Sequence, residues 1–123
     1  MEAGVSQHLS TCPLYRENPA LFDALVAKYG GIVQLAVEQA VSSTDRGIFP
    51  QIRALAREAG LQDAEPQDLI AVHLSALAIL VRTKPQALVR ASIRQSRLLL
   101  VKMIGELALY YREQAIEKRT ATN

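Results

Sequence analysis

The sequence has no tryptophan, one cysteine, six glycines and five prolines among 123 residues. A lone cysteine, Cys12, excludes an intramolecular disulfide and gives no sign of an oxidising compartment. Sparse glycine and proline, with alanine and leucine dominant, favour helices over strands. The N-terminal stretch MEAGVSQHLS lacks the apolar centre of a secretory signal. The longest uncharged apolar run, LIAVHLSALAILV, is too short to span a bilayer and contains a histidine. No internal repeat is visible. These absences lead to the expectation of a soluble, cytoplasmic protein with no membrane segment.

What is present is ordinary globular composition, half apolar and about a fifth charged, at the length of one domain. The formal charge of +2 conceals a split. Residues 1–65 hold five Lys/Arg against eight Asp/Glu, whereas residues 66–123 hold nine against four. The halves therefore carry −3 and +5, a polarity that can orient an acidic partner.

Residues 1–17 have no sustained period and read as a flexible or loosely docked arm. Asn18 and Pro19 form a helix-start pair, a side-chain cap followed by a residue whose missing N–H costs nothing there. Leu21, Leu25, Tyr29, Ile32, Val33, Ala36 and Val37 then recur at helical steps. Gly30-Gly31 suggests a kink or a close helix approach, and SSTDRG ends the segment. A shorter helix follows, with Pro50 near its start and Gly60 as the expected left-handed cap. The third helix spans about residues 66–82, opened by Pro66 with Asp68 near the positive end of its dipole. RTKP breaks the chain, and Pro85 opens the last helix, to about residue 118. Four helices with short connections over residues 18–119, followed by a short tail at 120–123, predict an all-α, antiparallel four-helix bundle.

The last helix is apolar around most of its circumference over residues 98–111. Leu99, Met103, Leu107 and Tyr110 form one stripe; Leu98, Val101, Ala108 and Leu109 spread over another. One bundle core absorbs roughly one face. Either this helix is central and covered on all sides, or the surplus meets a second copy across a two-fold axis. The excess favours a homodimer, with a seam drawn from Leu98, Val101, Met103, Leu107, Tyr110 and Tyr111. On the same helix Arg90, Arg94 and Arg97 form a basic stripe, a candidate dock for an acidic protein. Tracking of nucleic-acid phosphates is the lesser alternative, because the stripe is short and has no interleaved aromatics.

His73 lies between Leu69 and Ile70 one turn before it and Ala76 and Leu77 one turn after, and so points into an apolar stripe. A charged imidazolium is costly there, so a neutral ring hydrogen-bonded to Tyr110, Tyr111 or a helix-terminal carbonyl is expected. Neither turn supplies a second metal ligand. No phosphate loop, nucleophile motif or carboxylate pair is apparent either. The residues imply no catalytic site, no metal and no cofactor.

EPQDLIAVHLSAL resembles a P-x-x-[ILV]-I-x-[IV]-H signature found in two related helical domains. These are the N-terminal domain of RsbU-type phosphatases of the bacterial general stress response and the C-terminal domain of the clock protein KaiA. SRLLLVKMIGELALYYRE is similar to their last helix, and the likeness covers residues 21–114. By position Pro66, Leu69, Ile70 and His73 match the signature, while Met103, Leu107, Tyr110 and Tyr111 fall on the shared terminal helix. The resemblance implies a homodimeric, non-catalytic four-helix bundle that engages a regulatory protein: a stress-response switch protein or a clock-type peptide. Gly30-Gly31 and the SSTDRGIFP connection depart from the pattern. The chain carries neither a phosphatase nor a receiver-like domain beside the bundle, so regulation in trans is the expectation.

Overall fold

A computed structural model describes residues 12–42 and 47–122. They are all helical in class: α1 (Pro13–Glu17), α2 (Pro19–Ser42), α3 (Ile48–Leu61), α4 (Pro66–Thr83) and α5 (Gln86–Thr122). Asn18 caps α2 as its position predicts, its Oδ1 accepting the Leu21 N–H at 3.1 Å. Asp68 does the same service in reverse at α4, accepting the Glu65 N–H at 2.7 Å. Pro85 precedes α5 and accepts the Val89 N–H at 3.0 Å, so the helix opens on a carbonyl of the breaker itself.

Helix α5 packs on α2, α3 and α4, and α2 packs on both α3 and α4. The largest fully buried side chains come from all four of these helices: Tyr29, Phe22 and Leu25 of α2, Ile52 of α3, Leu69 of α4, and Met103 and Leu107 of α5. By length and composition Pro19–Val41 could cross a membrane. Its Phe22, Leu25, Tyr29 and Val33 are instead buried against the other helices.

Four expectations change. The arm drawn over residues 1–17 is folded from Cys12 onward, while residues 1–11 lie outside the described part of the chain, as does most of the SSTDRG turn. Cys12 and Leu14 are buried, and Tyr15 sets its ring edge-on to Phe22 at 5.3 Å. Second, the tail drawn at 120–123 is helical through Thr122. Third, Gly60 is not the left-handed cap. It lies inside α3, and a Cβ there would come within 2.5 Å of the Tyr110 ring. Asp63 takes the left-handed conformation instead, at φ 59°. The Ala64 N–H reaches back to the Ala59 carbonyl (3.1 Å) and the Asp63 N–H to Gly60 (3.0 Å), the paired bonds of a Schellman ending. Fourth, no close helix approach is made at Gly30-Gly31: both meet nothing within 4 Å on their Cβ side, and α2 runs unbroken through them.

Candidate interaction surface

Pro66 occupies the first turn of α4, Leu69 is fully buried and Ile70 half-buried. His73 is 8% exposed, and its partner is neither Tyr110 nor Tyr111: the Tyr29 hydroxyl of α2 lies 2.6 Å from its Nδ1. Tyr29 also donates to the Ser96 carbonyl of α5 at 3.3 Å. A neutral imidazole protonated on Nδ1 makes both contacts hydrogen bonds at once, since the hydroxyl then accepts from His73 and donates to Ser96. One polar chain thus fastens α4 to α2 and α2 to α5. Burial holds the His73 pKa below its ordinary value, and burial raises that of Tyr29.

A second polar node fixes the N-terminal helix. The Cys12 thiol donates to Asp68 Oδ1 (2.8 Å), which also takes the Leu14 N–H (3.3 Å). Burial, and after it the hydrogen bond to Asp68, pushes the Cys12 thiol up to about 11. Among the described residues no three His, Cys, Asp or Glu side chains gather to hold a metal ion.

The proposed dimer seam separates into two faces of α5. Met103 and Leu107 are fully buried within the protomer and Tyr110 is 8% exposed. Tyr111 is half-buried and donates its hydroxyl to the Ala64 carbonyl, clamping the turn between α3 and α4. Met103, Leu107 and Tyr110 cannot meet another chain without opening the core. The sequence reading failed here because two stripes on one helix look alike until the neighbours are placed. Leu98 and Val101 do face solvent, at 61% and 68% exposure, and Leu109 and Ile116 join them. Gly105 sits between these side chains, with nothing within 4 Å of its Cβ position. Leu98, Val101, Gly105, Leu109 and Ile116 follow one another at three-, four- and seven-residue steps, a single solvent-facing strip.

Arg90, Arg94 and Arg97 are all exposed, and Arg94 lies one turn before Leu98 on the same strip. No hydrogen bond or ion pair among the described residues engages these three, nor Arg112 near the far end. The cations on the α3 side differ. Glu106, 6% exposed, is held by Lys102 at 3.1 Å and Arg53 at 3.4 Å. Glu113 takes Arg57 at 2.9 Å, and that guanidinium also lies over the Tyr110 ring. Lys102 in turn covers the ring of Phe49, a partly exposed aromatic at the start of α3. Phe49 and Leu98 border a cleft of about 570 Å³ between the end of α2, the start of α3 and α5. A smaller groove of about 400 Å³ runs between α2 and α3 past Gly31, Leu35 and Ala54. Phe49 carried no periodic signal in the sequence, because a partly exposed aromatic in a first turn looks like a core residue.

The chain matches no protein-family model, no curated protein and no solved structure.

Proposed function

We propose that this protein is a non-catalytic regulatory module that binds another protein through the outer face of α5. The observation carrying this reading is the strip itself. Leu98 and Val101 keep most of their surface in water although the core beside them is complete. A side chain such as Leu or Val gains about 1.5–3 kcal/mol on full burial, so a row of them left exposed and framed by arginines is a surface suited to contact. The arginines of the stripe are free to steer an oppositely charged partner. The resemblance to RsbU- and KaiA-type helical domains points the same way, toward a switch protein or clock-type peptide bound in trans.

A homodimer is the second reading, favoured by the exposure of Leu98 and Val101. It is narrower than the seam first drawn, because Met103, Leu107 and Tyr110 have no part in it.

A photocrosslinking amino acid placed at Val101, in cells of the native organism, tests the main reading. The expected product is a discrete protein adduct that survives nuclease treatment. The same crosslinker at Gln34, exposed on α2, is the control. Equal adducts at both positions, or adducts lost with nuclease, would refute it.

A further inference from the structure

We infer that the occupant of the α5 strip is an amphipathic helix of a different protein, with an apolar centre and carboxylates on its flanks. This rests on the reading of α5 as a protein-binding face and names the partner's chemistry. The strip from Leu98 to Ile116 is about 27 Å long at the helical rise. An α-helix face presents side chains and no free backbone groups, so whatever lies along it must bring its own satisfied backbone. A helix does so, and apolar side chains at i, i+3, i+4 and i+7 match the spacing on α5.

Charge then separates a foreign helix from a second copy. Over residues 86–119 of α5 there are seven basic residues, Arg90, Arg94, Arg97, Lys102, Arg112, Lys118 and Arg119, and three acids, Glu106, Glu113 and Glu117. Glu106 is buried and already held by two cations, and Glu113 is held by Arg57. A second copy laid along the strip brings one carboxylate outside these ion pairs, the exposed Glu117, against several arginines, so most of the facing charges are alike. Its like charges oppose pairing at both ends of the apolar centre. A helix with glutamates or aspartates one turn outside its apolar residues meets Arg90 and Arg94 at one end and Arg112 at the other. Gly105 marks the crossing point. Glycine is a poor helix residue, nothing in the protomer requires it, and its missing side chain leaves a notch between Val101 and Leu109.

The test uses the full chain and two fluorescein-labelled synthetic helices. Both carry leucines at i, i+4, i+7 and i+11; one has glutamate flanks and the other lysine flanks. Anisotropy at low salt is expected to give binding of the glutamate helix at least about tenfold tighter than the lysine helix, with the preference shrinking as salt rises. Arg90→Glu/Arg94→Glu should reverse the preference. Gly105→Leu should weaken binding of the glutamate helix while leaving the thermal midpoint no lower than wild type, which separates a blocked surface from a damaged fold. Light scattering should give a monomer. Equal binding of the two helices, or of neither, overturns the inference. So does a dimer mass that Val101→Asp converts to monomer, since a second copy then owns the strip. If a discrete adduct with a different protein still forms at Val101 in these cases, the protein-binding reading stands and only the partner's chemistry is wrong.

Discussion

The Tyr29 hydroxyl lies 2.6 Å from His73 Nδ1, so the histidine of α4 is bonded to α2. Its role is to join helices, and its physical signature follows from burial. Tyr29→Phe removes the shared hydroxyl and leaves a buried imidazole nitrogen and the Ser96 carbonyl short of a partner. The expected cost is about 1–3 kcal/mol in denaturant unfolding. The depressed pKa of His73 also sets a pH dependence. The unfolded chain binds a proton near ~6.5 and the native state does not, so this contribution is intact above that pH and declines as pH falls below it. His73→Gln should flatten that part of the stability profile, as read by chemical denaturation between neutral and mildly acidic pH.

Cys12 gives the opposite sign. Its thiol is pushed from 9.0 up to about 11, so the native state holds its proton where the unfolded chain has released it. The stabilisation is complete below pH 9.0 and is lost as pH rises through about 11. Cys12→Ser keeps a donor for Asp68 but does not titrate in this range. The stability difference between wild type and Cys12→Ser should therefore shift against wild type across that window. At neutral pH the thiol should be unreactive toward a thiol reagent until α1 opens, and a reaction as fast as that of free cysteine would contradict the docking.

The helices were legible because their start signals are local. Asn18 with Pro19, and Pro66 with Asp68, act on groups within one turn, and the side chains that do the work are visible in sequence. The buried identity of His73 was legible too, from its phase among Leu69, Ile70, Ala76 and Leu77. Its partner was not. Tyr29 is 44 residues away, and only packing decides which of four tyrosines reaches it. The docking of α1 was hidden for the same reason: Cys12 and Asp68 have no shared period, only a shared place. The seam shows the limit most plainly. Periodicity separates the stripes of α5, but which stripe is core depends on where α3 and Tyr110 lie.

The end of α3 offers a pair of substitutions with opposite outcomes. At Gly60 an added methyl would lie 2.5 and 2.7 Å from two carbons of the Tyr110 ring. Gly60→Ala should destabilise by roughly 1–3 kcal/mol through overpacking, despite alanine's better helix propensity. Combining it with Tyr110→Leu, which removes the contacting ring, should cost less than the sum of the two single changes. Three residues on, Asp63 holds a left-handed φ of 59° that glycine adopts freely. Asp63→Gly should be neutral to stabilising, up to about 1 kcal/mol. Thermal unfolding of the four variants checks both signs, and a stabilising Gly60→Ala would mean that Tyr110 yields easily.

Glu106 links stability to the charge of the α5 face. It is 6% exposed and bonded to Lys102 and Arg53, which are 37% and 56% exposed. Removing its charge leaves two cations that water can reach, so the penalty stays below the several kcal/mol of an ion stranded in a core. Glu106→Gln keeps the shape and an acceptor, and should cost about 1 kcal/mol. It also frees Lys102 and Arg53 beside the strip and adds one unit of positive charge there. If an acidic helix docks on α5, this variant should bind the glutamate-flanked peptide more tightly than wild type while being less stable. Addition of salt should remove the gain in affinity before it removes binding. Tighter binding in a weakened fold cannot come from better packing, so that combination would assign the effect to charge. Unchanged affinity at low salt would place the docking helix away from Lys102, toward the Arg97 side of the strip.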